Sequence, residues 1–203
     1  MDEELSNLGT KDRIIRVTMD IIASEGFQNV TIRKIANRAE VNIAAVNYHF
    51  GCKDAVINEA LKAVTDKMID AFYLLKGSDD PKERLRLFVN SFVEVLMSYP
   101  DIIKIIIDQN IHKYSIQVAE NYQEFLKIEG RELIKNTIKA IRSEEPEIIL
   151  NMRVLQLLSC LIFPPLMDEK VMEISQIDWK DAGNRKLYTD IIVNNITDNY
   201  LCS

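Results

Sequence analysis

The polar residues that follow position 46 carry hydrogen-bonding groups at close spacing. Asn47 has an amide that can form two hydrogen bonds with the edge of an adenine. Tyr48, His49 and Lys53 each have a group that can donate to a phosphate oxygen. This combination predicts contact with a nucleic-acid duplex, in which the amide reads a base and its neighbours bind the backbone.

Two kinds of residue upstream fit the same interpretation. Small side chains at Ala44 and Ala45 permit close approach to a groove and can touch a thymine methyl group. Thr31 and Arg33 are further donors to phosphate. Taken singly, each of these residues could equally complete a packed helix or be a solvated surface group. Their occurrence together favours the nucleic-acid interpretation.

Short helices must position these groups. Asn42 is a good N-cap for a helix over 43–50 in which Val46 and Phe50 face the core, and Val41 points inward from the preceding turn. Thr31 can cap the helix before it, whose apolar residues recur at helical spacing. These residues are Ile32, Ile35, Ala36 and Ala39. Two short helices joined by a three-residue turn form a helix-turn-helix. A longer helix precedes them, with Thr10 as its expected N-cap and its end at Gly26.

This segment resembles the DNA-binding domain of the tetracycline-repressor (TetR) family. The resemblance covers about 50 of the 203 residues. The residues that carry it are Arg13-Ile14-Ile15, Gly26-Phe27, Thr31-Ile32-Arg33-Lys34-Ile35-Ala36, Ala39-Glu40-Val41-Asn42, Asn47-Tyr48-His49-Phe50 and Lys53-Asp54.

The resemblance implies a role for each matching position. It places the third helix in the major groove of double-stranded DNA. It implies phosphate contacts for Thr31, Tyr48, His49 and Lys53. A second set takes positions that reach bases or nearby backbone: Arg33, Asn42, Ile43, Ala44, Ala45 and Asn47.

Three positions depart from the common family pattern. Glu40 and Ala44 stand where the family often has Gly, and Asn42 stands where it often has Ser. Asn42 is equivalent to Ser as a cap. Glu40 is expected in a left-handed conformation, at a cost of about 1 to 2 kcal/mol. Ala44 narrows the clearance at the groove, so the bases that are read do not follow from the resemblance.

The composition predicts an all-α fold. The chain is 47% hydrophobic and 28% charged, with six Gly and five Pro, which is typical of a globular protein. Apolar residues recur three and four apart nearly throughout. Although the net charge is −6, residues 10–65 carry eight Lys or Arg against six acids, whereas residues 66–203 carry 17 against 22. A mildly basic head on an acidic body is expected when only the head meets phosphates.

The sequence predicts a cytoplasmic protein without membrane partners. The longest run without charge, Val154 to Met167, has 14 residues, and a bilayer span needs about 20. The acidic start, residues 1–6, does not resemble a secretory signal. Cys52, Cys160 and Cys202 lack metal or redox spacing. We therefore expect no metal and no cofactor.

Three parts follow from these patterns. We predict a helix-turn-helix domain at 1–52, a linking helix at 53–75 and a helical ligand-binding and dimerisation domain at 76–203. Within the last part, expected helices cover 82–98, 101–112, 115–142, 146–167 and 184–201, with a loop at 168–183.

Two sets of residues in the third part are candidate contacts. Polar or soft residues in otherwise apolar helices could line a cavity for an apolar or aromatic effector, although each is more simply a core or surface residue. They are Asn90, Met97, Gln109, His112, Tyr122, Met152 and Gln156. The resemblance implies that two late helices form a dimer interface, the alternative being that both are used within one subunit. The candidate contacts are Leu155, Ser159, Ile162, Phe163, Tyr188, Ile191, Ile192 and Asn195.

The function predicted is that of a homodimeric, ligand-responsive transcriptional regulator, most often a repressor of a palindromic operator. The alternative is a protein-interaction module whose helix-turn-helix does not bind DNA. An enzyme is not expected, because the nearest approach to a metal pair, His49 and Cys52, lacks further ligands nearby in the sequence.

Overall fold

The computed structural model describes residues 8–107, 116–167 and 173–198. Within these ranges the regular structure is helical and no strand occurs, so the all-α prediction is confirmed. In chain order the helices are α1 (Thr10–Glu25), α2 (Ile32–Arg38), α3 (Ile43–Phe50), α4 (Lys53–Tyr73), α5 (Pro81–Ser98), α6 (Pro100–Ile107), α7 (Ile116–Phe125), α8 (Arg131–Ile141), α9 (Glu147–Leu166) and α10 (Ala182–Thr197).

Contacts divide the described residues into two compact units. The first comprises those up to Asp66 together with those of 99–120, and the second comprises those of 67–98 and those from 121 onward. Each unit is therefore built from two separate stretches of the chain, and α4 contributes residues to both units. The domain boundaries predicted from the sequence, at 52 and 75, separate parts of the chain by their expected function. They stay a prediction.

The first unit is built around α1, which packs against α2, α3 and α6. Ile14, Ile21 and Ile22 of α1 are inaccessible to solvent, as are Ile35 of α2 and Val46 of α3. Full burial of one such side chain contributes about 1.5 to 3 kcal/mol. The predicted inward face of α2 is buried except for Ile32, which is half-buried.

The second unit is centred on α5, which packs against α8, α9 and α10. An aromatic cluster fills its core. Phe72 lies 4.8 Å from Phe88, 5.3 Å from Phe92 and 5.3 Å from Phe125, measured between ring centroids. The tilted and edge-on arrangements are those that aromatic rings prefer, and each pair adds about 0.5 to 1.5 kcal/mol beyond its buried area.

The helix expected over 115–142 contains a π turn, Leu126–Gly130, between α7 and α8. The turn coincides with a position where a side chain would collide with the aromatic cluster. A Cβ atom on Gly130 would lie 3.1 Å from Cε1 of both Phe125 and Phe72. A one-turn π segment inside a helix is frequent at functional sites.

Other boundaries differ from expectation for local reasons. Thr10 is not the N-cap of α1, because Gly9 precedes the helix and its carbonyl accepts from the Arg13 N–H at 2.9 Å. The last helix begins earlier than predicted, since the Asp181 carboxylate caps it by accepting from the Asn184 N–H at 2.8 Å. Residues 173–175 of the expected loop are helical. Part of the helix expected over 101–112 lies outside the described residues.

One described helix, α9, is long and apolar enough to cross a bilayer by length and composition, with a mean hydropathy of 1.6. The count of uncharged residues in the sequence did not identify this helix, because the uncharged stretch begins only after Arg153, which lies within the helix. Packed core helices pass the same test, so this is weak evidence for a membrane segment. Arg153 is buried and bonded to Glu145, and one side of α9 packs against α5, α8 and α10.

Candidate nucleic-acid interface

The N-terminus of α2 is fixed by Thr31. Its backbone is extended, with φ −136° and ψ 148°, and its Oγ1 accepts from the Lys34 N–H at 3.1 Å. This confirms the predicted cap. The side chain remains exposed. Its hydroxyl hydrogen is therefore available to a phosphate while its oxygen holds the helix.

The turn between α2 and α3 is tight. The Ala39 N–H donates to Ile35 and the Val41 N–H donates to the Ala36 carbonyl at 3.0 Å, which closes the helix. Glu40 between them has φ 51°, the left-handed conformation expected from the sequence. Val41 is half-buried and anchors the turn against the core.

The cap of α3 is Asn42, whose Oδ1 accepts from the Ala44 N–H at 2.9 Å. Val46 is fully buried on the inner side. The opposite side of α3 carries most of the predicted DNA contacts. Ile43, Ala44, Asn47, Tyr48 and His49 are exposed, and Ala45 is half-buried.

Tyr48 is the most exposed of the large hydrophobic residues described in the first unit, at 86% of its full exposure. Its ring stands edge-on to that of His49, with the centroids 5.3 Å apart. Gly51 then ends α3 with φ 77°, and Lys53 is the first residue of α4. The structure thus brings two aromatic donors and an ammonium group to the C-terminal end of the exposed face.

The cations of the first unit differ in how far they are neutralised. Glu25 binds Lys34 at 2.6 Å and Arg38 at 2.5 Å, and the hydrogen bond from Lys34 is the main reason that the pKa of Glu25 is lowered. Within the part of the chain that the structure describes, Arg33 and Lys53 lie within 4.0 Å of no carboxylate. The two cations expected to bind DNA are therefore unpaired, whereas their neighbours are held by Glu25.

A comparison with known families finds the same segment. The family described as bacterial regulatory proteins of the tetR family matches residues 14–60, which run from α1 into α4. Residues 14–60 of this chain thus form a DNA-binding segment of the tetR-family type. The match includes the whole helix-turn-helix whose caps and exposed face are described above.

Curated TetR-type relatives are similar over part of their length. The regulator BetI of Stenotrophomonas maltophilia is 29% identical over 82 residues, 39% of this chain and 42% of that protein. The transcriptional repressor NicS of Pseudomonas putida is 25% identical over 105 residues, 51% of this chain and 50% of that protein. The chain thus spans half or less of the length of these relatives.

Solved structures extend the likeness of fold to nearly the whole chain. A regulator of the TetR/AcrR family from Thermobifida fusca has a TM-score of 0.67 at 15% identity, with 95% of this chain and 98% of that chain covered. A TetR-family regulator from Bordetella parapertussis has a TM-score of 0.66 at 16% identity, with 94% and 95% covered. At such identities the likeness establishes the fold alone.

The residues predicted to bind an effector are dispersed in this TetR-type fold. Asn90 accepts a hydrogen bond from the Thr189 hydroxyl, Tyr122 is buried, and Met97 is half-buried. Met152 and Gln156 are exposed on α9. Gln109 and His112 lie outside the described residues. Their ligand role stays a prediction.

The residues predicted for a dimer interface fall into two groups. Leu155, Ser159, Ile162 and Phe163 of α9 are exposed or half-buried, as are Tyr188, Ile191 and Asn195 of α10. Ile192 is only 4% exposed and packs inside the subunit, so its side chain does not belong to that surface.

Tyr188 is held within the second unit although part of its ring is exposed. Its hydroxyl donates to the Cys160 carbonyl at 2.8 Å, and burial raises its pKa to about 12. It therefore stays neutral at physiological pH and links α9 to α10.

The apolar character that the sequence indicates for these two helices extends to Ile148 and Leu187, which are exposed four positions before Met152 and Ile191 and therefore share their helix faces. Sequence reasoning missed the pairing of Lys34 and Arg38 with Glu25. Nothing in the spacing of these three residues reveals it, because Glu25 lies on a different helix from its partners.

Proposed function

We propose that the protein is a homodimeric transcriptional regulator that binds a two-fold symmetric operator and is released from it by a small molecule. The observation that carries this proposal is the exposed face of α3, where a base-reading amide at Asn47 is followed by Tyr48, His49 and the unpaired cation of Lys53. The largely exposed Tyr48 hydroxyl is free to donate to a phosphate oxygen. The names of NicS, a repressor, and BetI, a regulator, favour repression.

Dimerisation is supported by an apolar stripe on α9. Ile148, Met152, Leu155 and Phe163 recur at helical spacing and are 57 to 67% exposed. Contiguous exposed apolar surface marks interaction sites. On α10, Leu187 and Ile191 are 61% and 49% exposed. We define these six residues as the α9–α10 stripe, and we propose a second copy of the chain as its partner.

A dimer is also what DNA reading requires. One short recognition helix reads too few base pairs for tight binding, and a two-fold dimer places two such helices on half-sites about one helical turn apart, or somewhat more. The effector proposed is an apolar or aromatic molecule bound within residues 82–166. Continuous α4, whose residues belong to both units, gives a route by which such binding alters the recognition helices.

Selection of bound sequences from random duplex DNA tests the proposal directly. The full-length protein should enrich an inverted repeat. Failure to enrich any sequence, together with weak binding to all duplexes, would instead support the alternative of a protein-interaction module.

Light scattering after size-exclusion chromatography tests the dimer. A Leu155→Asp, Phe163→Asp double variant should elute as a monomer and lose operator binding. Ile174→Asp is the matched control, because Ile174 is 79% exposed but lies outside both helices of the stripe. A wild-type protein that is monomeric at micromolar concentration and still binds its operator tightly would disprove the dimer.

A further inference from the structure

A groove of about 550 Å³ opens on the second unit, between the π turn and start of α8 on one side and α9 on the other. Small-molecule sites in proteins occupy roughly 300 to 1,000 Å³. The apolar part of the groove is formed by Leu126, Val154, Leu155 and Leu158. None of the residues that sequence reasoning proposed for a ligand lines it.

The polar part of the groove is cationic. Lys127 and Arg131, four residues apart, both line it and both remain exposed. Among the described residues, Lys127 has no carboxylate within 4.0 Å. Arg131 is paired only loosely, with its Nε 3.7 Å from Glu132 Oε1 on the exposed surface, and such pairs are weak.

The third polar side chain is an unsatisfied amide. Asn151 lines the groove, and its Oδ1 is inaccessible to solvent and has no hydrogen-bond partner. The other end of the same amide, Nδ2, is not among the buried atoms without a partner, and as a hydrogen-bond donor it can bind an anion in the groove.

We propose that this groove binds a small amphipathic carboxylate. The carboxylate lies between Lys127, Arg131 and the amide of Asn151, and the apolar chain packs along the four aliphatic residues. Neutral apolar molecules leave Lys127 without a carboxylate and Arg131 with only its loose pairing to Glu132, and they are bound more weakly. Two of the lining residues, Leu126 and Lys127, belong to the π turn.

Leu155 links the site to regulation. It lines the groove and is also part of the α9–α10 stripe, so an occupied groove changes the border of the proposed dimer surface. This consequence rests on the proposed function, whereas binding of the carboxylate does not.

Isothermal titration calorimetry with decanoate, below its micelle concentration, tests the site on the full-length protein. A saturable one-site isotherm is expected. A Lys127→Met, Arg131→Met double variant, which removes both charges but keeps unbranched, flexible side chains, should bind decanoate at least tenfold more weakly. Lys139→Met is the matched control, because Lys139 is an exposed cation of the same helix α8 outside the groove. It should change the affinity by less than twofold.

A second ligand distinguishes the contribution of the carboxylate charge to the affinity from that of the apolar chain. 1-Decanol should bind more weakly than decanoate to the wild-type protein, and the double variant should bind the two ligands equally. Decanoate affinity that is the same in the wild type and the double variant, or that falls equally in Lys139→Met, overturns the proposal. So does the absence of saturable binding by a wild-type protein with a native circular dichroism spectrum.

Two outcomes distinguish this proposal from the proposed function. Decanoate binding by a protein that binds no DNA would disprove the regulator and leave the groove site intact. A double substitution that alters the dimerisation constant but not decanoate affinity would show that the groove is a contact between copies, and would overturn the carboxylate site.

Discussion

Arg153 and Glu145 form a two-pronged ion pair in the interior of the second unit. The Arg153 Nε lies 2.6 Å from Glu145 Oε2, and its Nη2 lies 2.7 Å from Oε1. Arg142 binds the same carboxylate at 2.9 Å, and its Nε donates to the Ile196 carbonyl at 2.9 Å. One carboxylate therefore pairs with two buried guanidinium groups, and this network ties the loop after α8 to α9 and to the end of α10.

Replacing Glu145 by Gln should destabilise the protein strongly. The change removes the carboxylate that binds both Arg153 and Arg142, and breaking a buried ion pair in this way costs about 3 to 5 kcal/mol. Chemical denaturation followed by circular dichroism measures the loss. Glu144→Gln, an exposed neighbour in the same loop, should change the unfolding free energy by less than about 0.5 kcal/mol. Equal effects of the two substitutions would show that the network does not stabilise the fold.

The same network makes part of the stability depend on pH. Hydrogen bonding from Arg153, followed by the nearby positive charges, lowers the pKa of Glu145 from its ordinary value of 4.5. A carboxyl whose pKa is lowered by folding contributes stability above its unfolded pKa, and the contribution is lost as the pH falls through the lower folded value. The difference in unfolding free energy between wild type and Glu145→Gln should therefore be constant above about pH 5.5 and shrink below about pH 4. A difference that grows on acidification contradicts this.

Relief of backbone strain at Glu40 should stabilise the first unit. Glu40 has φ 51°, and this conformation costs a residue with a side chain about 1 to 2 kcal/mol. Glycine removes that cost but loses roughly 0.4 to 1 kcal/mol to the greater freedom of the unfolded chain. Glu40→Gly should therefore be more stable by up to about 1 kcal/mol, seen as a rise in the thermal midpoint. Glu40→Ala keeps the strain and should give no such rise, and an equal rise in both variants would assign the effect to the lost charge.

Local features of the helix-turn-helix could be predicted because they depend on neighbouring residues. The caps at Thr31 and Asn42 and the left-handed Glu40 each follow from residue type within four positions. The pairing of Glu145 with Arg153 could not be predicted, because it depends on how the loop after α8 folds back on α9. Likewise, Ile191 is exposed and the adjacent Ile192 is buried, although the two are chemically identical, so only the packing of α10 separates them.

The groove could not be predicted from the sequence for a similar reason. Lys127 and Asn151 are 24 positions apart, and they meet because α8 packs against α9. The π turn that carries Lys127 ends at Gly130, where a Cβ atom would crowd two aromatic rings, and this crowding is a property of the folded core. Sequence periodicity predicts one uninterrupted helix there.

Glu25 should restrain non-specific DNA binding. It holds Lys34 and Arg38 in ion pairs, so these cations are less available to phosphates. Glu25→Gln should strengthen binding to random duplexes and steepen the dependence of log affinity on log salt by about 0.9 for each additional phosphate that is neutralised. Fluorescence anisotropy over a range of salt concentrations measures both. Asp20→Asn removes the same charge from α1, where Asp20 pairs with Arg16, and an equal effect there would show that only net charge matters.

Asn47 and Lys53 should give different phenotypes when each is replaced by Ala. Asn47 is exposed on the face of α3 proposed to enter the major groove, so its loss should remove about 1 to 3 kcal/mol of discrimination at one base pair of each half-site. Lys53 is a phosphate contact in the same proposal. Its loss should weaken binding to all sequences and reduce the salt slope by about 0.9 per subunit.

A matched lysine separates the contact at Lys53 from a general charge effect. Lys62 lies on the same helix and pairs with Asp66 at 2.7 Å, so Lys62→Ala should leave the salt slope nearly unchanged. Affinities for the selected operator, for operators with single base changes and for random duplex provide the measurement. If Asn47→Ala lowers specific and random binding equally, then Asn47 contacts the backbone. The bases must in that case be read by other residues of α3, among which Ile43 and Ala44 are the exposed candidates.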